Sequence, residues 1–340
     1  MAETLQFAVS LAKDLSGADI LVTGGLGFIG SSLARRLLAS DAKVTLVDSL
    51  IPEYGGNLFN IDDIRDRATV ELADVRDASA MASLIKGRDF LFNLAGQTSH
   101  LDSMTDPLTD LNINAAAQLH ILEACRRHNP AVKIVFASTR QVYGRPQYLP
   151  VDEKHPLNPI DINGVNKLAG EWYHLLYHNV YQIRSSALRL TNTYGPGMRV
   201  KDARQTFLGI WIRQLIEGKP IKIFGSGTQR RDFNFIDDVV DALVLAATRP
   251  ESEGQVFNLG HGEHVSLQEL AALLIELNGG GDYEIVPFPA DREVIDIGDY
   301  YGDFRKIDNL LGWSPKISLR EGLAQTLDYY RQHRGHYWDS

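Results

Sequence analysis

The segment TGGLGFIG, residues 23–30, constrains the fold more than any other part of this chain. It follows an apolar run, ADILV, that suits a buried strand, and it opens a run with apolar residues at helical spacing. Its glycines at 24, 27 and 30 are spaced three residues apart. Glycines here let backbone N–H groups approach a pyrophosphate closely, and the N-terminus of the following helix favours the negative charge. A glycine triple alone also fits a plain strand-to-helix turn. Between a strand and a helix it predicts a dinucleotide-binding unit.

Short apolar runs alternate with helical patterns through the first half of the chain. This alternation predicts an α/β protein with a Rossmann-type, doubly wound parallel sheet and helices on both faces. The runs are almost continuously apolar, as expected for strands that are buried on both sides. The predicted strands are residues 18–25, 43–48, 69–74, 89–96, 132–139 and 183–192, and one intervening helix is predicted over 112–128.

The rhythm changes after residue 192, where GPGMRVKDARQ predicts a loop. We expect a helical N-terminal extension over 1–17, a dinucleotide-binding domain over 18–192, and a smaller α/β substrate lobe over 193–340, with residues of about 232–260 returning to the first domain. Ligands should bind between them, beyond the carboxyl ends of the strands. In the lobe we predict helices over 206–217, 237–248, 266–277 and 319–332, and strands over 221–224 and 255–259.

Charge and composition argue against several classes of protein. A formal net charge of −9 disfavours a general nucleic-acid or anionic-membrane binder, which would be basic. No apolar run approaches the ~20 residues of a membrane span, and the acidic residues near the start argue against a signal peptide. Cys125 is the single cysteine, so no internal disulfide can form and a reducing compartment, the cytoplasm, is expected. No metal site is expected.

Carboxylates at the ends of predicted strands indicate which dinucleotide binds. Asp48 ends the second strand, eighteen residues beyond Gly30. A carboxylate there accepts hydrogen bonds from a ribose 2′-hydroxyl and repels a 2′-phosphate, so NAD is expected rather than NADP. Asp74 and Val75, at the end of the third strand, stand where an adenine could be held.

Further motifs follow the glycine loop in order. They are NLAGQTSH (93–100), FASTRQVYG (136–144), NGVNK (163–167), RLTNTYGPG (189–197), FGSGTQRRDF (224–233) and LGWSPKISLREGL (311–323). With them the chain resembles, from about residue 18 to 330, the extended short-chain dehydrogenase/reductase family, and within it the nucleotide-sugar epimerases and dehydratases. These motifs are specific for fold and cofactor and less specific for the reaction.

The resemblance implies a cofactor site that extends the glycine loop. Leu94, Ala95 and Gly96 would pass under the nicotinamide ribose, and Asn114 would brace the sheet nearby. Lys167 would hold the ribose. The full expected set is Gly24, Gly27, Phe28, Ile29, Gly30, Asp48, Asp74, Val75, Leu94, Ala95, Gly96, Asn114 and Lys167.

The catalytic residues of the family are implied to be a Ser/Thr, a tyrosine, and a lysine four residues after the tyrosine. Thr139 matches the first and Lys167 the last, but Asn163 occupies the tyrosine position. A tyrosinate would take the proton of the sugar hydroxyl, since the nearby positive charges lower the tyrosine pKa from its usual ~10. An amide can only hydrogen-bond the hydroxyl or hold a water.

Asn163 therefore leaves the proton acceptor open. Asparagine is a preferred helix N-cap, and Asn163 stands near the start of a helix predicted over 163–180, so a cap or loop role and a contact with the substrate are both open. Asp161, His100 and Asp102 are the other candidates for the proton acceptor. Each of the three also fits a solvated loop residue.

Seven residues are expected to bind the substrate, a nucleotide-diphosphate sugar. The resemblance places Asn192 and Arg231 on the diphosphate, with Arg292 as a second arginine, and Phe224 on the base. Arginine holds phosphate bidentately. A surface ion-pair cluster around Arg231 and core packing of Phe224 are the alternatives. The seven are Thr98, Arg140, Gln141, Asn192, Phe224, Arg231 and Arg292.

Arg140 and Gln141 bear on the reaction. They stand where the 4,6-dehydratases of the family carry an Asp-Glu pair. Neither side chain is a normal general acid at neutral pH, so dehydration is disfavoured. Arg140 suits an anionic substrate group such as a uronic carboxylate, and a loop arginine that faces solvent is the alternative.

The expected function is that of an NAD-dependent nucleotide-sugar epimerase. It would oxidise a sugar hydroxyl, usually at C4, and reduce the keto sugar again. A nucleotide uronic acid decarboxylase and a non-catalytic sensor of NAD and sugar nucleotides are the alternatives. The resemblance also implies a homodimer through the helices over 112–128 and 163–180. Leu119 and Leu122 are consistent with such packing, although a buried intramolecular face explains them equally well.

Overall fold

The computed structural model describes residues 14–202 and 206–338, so most of the extension expected over 1–17 lies outside the described residues. The described strands are β1 (Asp19–Thr23), β2 (Lys43–Asp48), β3 (Thr69–Leu72), β4 (Phe90–Asn93), β5 (Lys133–Thr139), β6 (Arg184–Leu190), β7 (Asn192–Tyr194), β8 (Ile221–Phe224), β9 (Arg230–Phe235), β10 (Val256–Asn258), β11 (His264–Ser266) and β12 (Tyr283–Val286).

The described α-helices are α1 (Phe28–Ala39), α2 (Ala78–Leu84), α3 (His100–Thr105), α4 (Pro107–Leu111), α5 (Ala117–His128), α6 (Ile162–Tyr181), α7 (Phe207–Ile216), α8 (Ile236–Thr248), α9 (Leu267–Asn278), α10 (Ala290–Glu293), α11 (Arg305–Leu311) and α12 (Leu319–His333). A π-helical turn, Asn112–Ala116, leads into α5, and a 3₁₀ turn, Arg140–Tyr143, follows β5. No described helix is long and apolar enough to cross a membrane.

Seven strands form one parallel sheet in the order β3-β2-β1-β4-β5-β6-β10, which confirms the predicted Rossmann-type architecture. Helices cover both faces, so the strands are buried: every residue of β5 is buried except Thr139. The chain runs outward from β1 in one direction to β3 and in the other to β6. That reversal opens a crevice at the carboxyl ends of β1 and β4.

The second half of the chain contributes to three sheets. β10 joins the edge of the main sheet, with Val256 opposite Ala187 of β6. The other strands form two small sheets, in the orders β7-β9-β11 and β8-β12. The sequence predicts β8 and β10 in this half but not the other strands, since strands such as β9 carry charged residues and form no apolar run. The division into a cofactor domain and a substrate lobe stays a prediction.

The start of α6 differs from the prediction in its capping residue. Asp161 is the N-cap, and its Oδ1 accepts a hydrogen bond from the backbone N–H of Gly164 at 2.6 Å. Asn163 is already inside the first turn, so the cap role considered for it is wrong. The helix ends at Tyr181, and its C-cap, Gln182, adopts a left-handed conformation with φ 59°. Between these ends the helix presents Lys167 and other buried side chains to the sheet.

A buried polar network joins α6 to the sheet. Glu171 on α6 and Arg189 on β6 form an ion pair with an O–N distance of 2.5 Å, and both side chains are buried. Ser138 on β5 donates a hydrogen bond to Glu171 at 2.6 Å. Arg189 also donates to the hydroxyl of Tyr143, which in turn donates to Asn258 on β10, both at 2.6 Å. One carboxylate thus connects a helix, three strands and the turn after β5.

Glu171→Gln tests the contribution of this network to stability. The substitution preserves shape but leaves the Arg189 guanidinium without its counter-charge in the core. We expect the free energy of unfolding to fall by about 3–5 kcal/mol, measured by urea denaturation. Glu276→Gln is the matched control, because Glu276 pairs with Arg320 at the surface and should leave the midpoint nearly unchanged. Equal midpoints for the two variants would contradict the assignment.

Candidate active site

A cleft opens at the carboxyl ends of the parallel strands, and most of the predicted site residues line it. They come from the segments that follow β1 to β6 and from the first turns of α6. The predicted residues in its lining are Gly24, Gly27, Phe28, Ile29, Gly30, Asp48, Asp74, Val75, Leu94, Ala95, Gly96, Thr98, His100, Thr139, Arg140, Gln141, Asn163, Lys167 and Asn192. Lining residues outside the predicted set include Gln97 and Thr193, which belong to the quoted motifs, and Tyr54, Ile113 and Met198, which do not.

The glycine loop forms one wall of the cleft, and its geometry requires glycine. A Cβ atom on Gly30 would lie 2.2 Å from the carbonyl oxygen of Gly24, and Gly24 itself has φ +68°. Gly27 is the N-cap of α1 and places no side chain on the first N–H groups of the helix. Those N–H groups are therefore open to the cleft, which fits a pyrophosphate.

Two carboxylates lie at the end of the cleft beside β2 and β3. Asp48 accepts hydrogen bonds from the N–H groups of Leu26 at 3.1 Å and Leu50 at 2.9 Å, which fix its side chain, and burial raises its pKa. It retains lone pairs for ribose hydroxyls. Asp74 pairs with Arg76, which holds the pKa of Asp74 below its usual range. Its carboxylate is therefore already bound when a ligand arrives.

Gly96 lies between a buried acceptor and the predicted catalytic lysine. A Cβ on Gly96 would come within 2.9 Å of Asn114 Oδ1 and 3.0 Å of Lys167 Nζ. Asn114 lies beneath the cleft and donates to the carbonyl of Gln97, while its Oδ1 is buried without a hydrogen-bond partner. Lys167 donates to the carbonyl of Ala137 at 2.9 Å, and burial lowers its pKa to about 8. This arrangement fits the hydroxyl groups of a ribose.

Asn163 is tied into the protein by its side-chain amide. Its Nδ2 donates to the carbonyl of Gln97 at 2.8 Å and to Asp110 Oδ2 at 3.0 Å. The other oxygen of Asp110 accepts from Asn166 at 2.8 Å. The residue is 3% exposed. Because acceptor oxygens surround Nδ2, the amide has a single favourable orientation, and the residue at the tyrosine position joins α6 to α4 and to the segment after β4.

Two tyrosines around the cleft, Tyr143 and Tyr54, are unsuited to replace the missing one. Tyr143, in the turn after β5, is fully buried and donates its hydroxyl hydrogen to Asn258. Tyr54 lines the cleft, but burial raises its pKa, and the carboxylates of Asp102 and Asp106 act in the same direction. Both environments disfavour a tyrosinate.

His100, Gln141 and Asp161 meet beside the cleft. His100 Nδ1 lies 3.0 Å from Asp161 Oδ2. The amide nitrogen of Gln141 lies 3.3 Å from Asp161 Oδ2 and 3.2 Å from His100 Nε2. Burial by itself raises the pKa of Asp161, but hydrogen bonding and charge from His100 and the cap N–H of Gly164 hold it below the usual range. The spacing of His100 and Asp161 in the sequence gave no sign of this pairing.

Arg140 lines the end of the cleft beyond β5 and β6, and the charge of Arg231 acts on it from outside the lining. Arg140 donates to Asn192 Oδ1 at 3.1 Å and stacks its guanidinium over Tyr300, while its Nη1 is buried without a partner. Arg231 bonds to the carbonyl of Gly298 and lies 3.3 Å from Asp296. Burial, with the charge of Arg140, lowers the pKa of Arg231 to about 10. A buried arginine beside a partly buried one that has an unused, buried Nη1 donor favours an anionic ligand.

The remaining predicted substrate residues lie outside the lining of this cleft. Arg292 places its guanidinium 5.3 Å from the ring centroid of Phe224, and the ring of Phe288 lies 6.0 Å from that of Phe224. Arg231 is likewise absent from the lining, although its charge acts on that of Arg140. The structure therefore brings the cofactor residues together and leaves part of the predicted substrate set at a distance.

Comparison with known proteins relates this cleft to sugar-nucleotide chemistry. The model of the NAD-dependent epimerase/dehydratase family matches residues 20–260. The UDP-glucose 4-epimerase of Mycolicibacterium smegmatis is 34% identical, with 92% of this chain and 98% of the relative covered. A dTDP-glucose 4,6-dehydratase of Streptomyces griseus is 32% identical, with 94% and 96% covered.

The chain is also similar to a decarboxylase and to an epimerase of known structure. UDP-glucuronic acid decarboxylase 1 of Xenopus tropicalis is 30% identical, with 95% of this chain and 75% of the relative covered. The crystal structure of UDP-glucose 4-epimerase from Thermotoga maritima with UDP-glucose superposes with a TM-score of 0.84, at 30% identity, with 93% and 99% of the chains covered. Relatives of similar identity thus carry out three different reactions.

Asn163→Ala tests the structural role of the amide. It removes the contacts to Gln97 and Asp110 and leaves a buried carboxylate oxygen with fewer donors. We expect the ligand-free protein to lose about 1–3 kcal/mol of unfolding free energy in urea denaturation. Asn179→Ala, on the exposed end of the same helix, is the control. If the two variants unfold at the same urea concentration, the amide contacts contribute nothing to stability.

Proposed function

The chain belongs to the NAD-dependent epimerase/dehydratase family, and from that premise we propose that it is a nucleotide-sugar epimerase with a non-standard proton acceptor. One observation carries the proposal: a single cleft joins the glycine loop and Asp48 at one end to Thr139, Lys167 and Arg140 at the other. NAD, the cofactor of the family, fits the first end, and a sugar hydroxyl beside Thr139 fits the second.

The side chains divide the work of an oxidation that is later reversed. Bound NAD supplies the hydride acceptor for the sugar carbon and returns the hydride to it. Lys167 holds the ribose and keeps a positive charge beside the developing keto sugar. Thr139, whose hydroxyl accepts from the N–H of Gln141 at 3.3 Å, orients the reacting hydroxyl. Asp48 holds the ribose at the other end of the cofactor.

The proposal favours epimerisation over dehydration because of the residues after Thr139. Elimination needs an acid and a base near the sugar C5 and C6. Arg140 and Gln141 stand at the positions expected for that pair, and Gln141 is engaged with His100 and Asp161. No side chain at those two positions is suited to deliver or remove the proton of an elimination.

Arg140 supports a second candidate, a decarboxylase of a nucleotide uronic acid. Its Nη1 is buried in the wall of the cleft without a partner, and a carboxylate on the sugar would satisfy it. The same atom would serve a diphosphate oxygen in an epimerase, together with Asn192, which also lines the cleft. A non-catalytic sensor is a third candidate, since Asn163 cannot act as a base.

Turnover of defined substrates separates the three candidates. We expect purified protein to convert one member of a panel of UDP-, dTDP- and GDP-hexoses into its isomer, detected by NMR, with transient NADH absorbance. Lys167→Met should lower the rate by about 10²–10³-fold, because one charge-stabilising donor is lost. Lys222→Met, at an exposed position on β8, is the control.

The other outcomes are equally specific. Release of CO₂ from a UDP-uronic acid would establish the decarboxylase. Calorimetric binding of NAD and a sugar nucleotide, with no product and no NADH across the panel, would establish the sensor. Either result would replace the epimerase proposal.

The proposed homodimer has support from apolar side chains that α6 leaves exposed. Val165, Trp172, Leu176 and Val180 are each about half exposed and recur along one side of the helix. Met104, Leu108 and Leu111, on the adjoining α3 and α4, are also exposed. Leu122 and its neighbouring alanines on α5 pack inside the subunit instead, so the apolar residues used in the sequence argument form an intramolecular face. The cytoplasmic location stays a prediction.

Trp172→Glu tests the dimer. A charge in the centre of the exposed α6 face should convert the protein to monomers, measured by sedimentation velocity at micromolar concentration. Leu310→Glu, an equally exposed apolar position on α11, should leave the assembly unchanged. A wild-type protein that sediments as a monomer would overturn the proposed assembly.

A further inference from the structure

The cleft offers few groups that can take a proton at the end where Thr139 lies. Asp48 and Asp74 follow β2 and β3, on the other side of β1, and Lys167 is already protonated below its pKa of about 8. His100 begins α3 directly after β4, the strand next to β5, and it lines the same cleft. Among the described residues that line this end of the cleft, the imidazole of His100 is therefore best suited to accept a proton.

Resting on the proposed epimerase function, we infer that His100, held by Asp161, is the catalytic base that replaces the tyrosine. The imidazole is 31% exposed, toward the cleft, whereas the carboxylate behind it is 1% exposed. An exposed base oriented by a buried carboxylate is the arrangement that proton transfer requires. Asp161 is in turn held in place because it is the N-cap of α6 and accepts a hydrogen bond from the N–H of Gly164.

The hydrogen bonds also define which nitrogen accepts the proton. Nδ1 lies 3.0 Å from the Asp161 carboxylate, so the neutral ring carries its hydrogen there. Nε2 is then the unprotonated atom, and the amide nitrogen of Gln141, which lies 3.2 Å from Nε2 and 3.3 Å from Nδ1, packs against the same edge of the ring. Gln141 thereby has a positioning role, at a place where the dehydratases would carry an acid.

The step balances with NAD as the only oxidant. The O–H bond of the sugar hydroxyl breaks, and its proton moves to His100 Nε2. The C–H bond on the same carbon breaks, its hydride moves to NAD⁺, and a C=O bond forms. Asp161 stabilises the imidazolium that results. In the second half-reaction the hydride returns to the other face of the carbon and His100 returns the proton to oxygen.

Other charged groups around the imidazole set its environment. Arg140, on the turn after β5, acts on the Asp161 carboxylate, and Asp102 lies on the same short helix as His100. Tyr54, whose pKa responds to Asp102, approaches from the loop after β2. The positive charge of Arg140 opposes that of an imidazolium, and Asp161 and Asp102 favour it.

The test compares three substitutions under single-turnover conditions, with NADH absorbance as the readout. His100→Gln should slow hydride transfer by about 10²–10⁴-fold while calorimetry shows unchanged substrate affinity. His100→Ala should recover part of its rate on addition of imidazole. Asp161→Asn keeps the helix cap, because asparagine also caps, but it should move the acid limb of the pH–rate profile to lower pH. His128→Gln, at the exposed end of α5, is the control.

The outcomes distinguish a failure of the proposed base, His100, from a failure of the proposed epimerase reaction. An active wild-type protein whose His100→Gln variant keeps its rate within about tenfold would overturn the base and leave the epimerase standing. A wild-type protein inactive on every sugar nucleotide would overturn both. A slow Asp161→Asn variant with an unmoved acid limb would reduce Asp161 to its role as a helix cap and would overturn the pair.

Discussion

The buried ion pair between Glu171 and Arg189 fixes α6 on the sheet, and the active end of the cleft depends on that placement. Glu171 and Lys167 are one helical turn apart on the same face, so the contact that anchors the first also brings the second to the carbonyl of Ala137. Gly170 allows the close approach, since a Cβ there would lie 2.8 Å from the carbonyl of Asn114. The core thus positions the lysine at the wall of the cleft, where Ala137 also lies.

The parts of the structure that could be predicted are those with a local signal. The glycine loop and the apolar runs of β1 to β6 carry their own periodicity, and the cofactor residues follow from the strand ends. β9 carries no such pattern, because its charged residues are paired in three dimensions. The meeting of His100 with Asp161, and of Asn163 with Asp110, joins segments that are distant in the sequence. Such pairings depend on how α3, α4 and α6 pack, and no spacing in the sequence reports it.

Asn163 illustrates how a site can keep its shape after exchanging a chemical group for a structural one. A phenol at this position would need space where the amide now bonds to Gln97 and Asp110. The side chains around residue 163 are therefore packed against a small amide that donates hydrogen bonds to both Gln97 and Asp110. Replacing Asn163 alone by tyrosine would remove the hydrogen bond from the amide to Asp110, which would then need another donor. The choice of catalytic base and the packing of α6 are therefore coupled at this position.

The last strand of the main sheet, β10, comes long after β6 in the chain, and this order matters while the protein is being synthesised. The outer edge of β6 pairs with β10 and with the residues beside it, Gly254, Gln255 and Leu259, all of which follow α8. While the ribosome is still adding α7 and α8, the nascent chain presents the backbone N–H and C=O groups of β6 unpaired. Open strand edges recruit other strands, and pairings between distant segments form slowly. The edge of β6 is therefore closed by a segment that is made after α8.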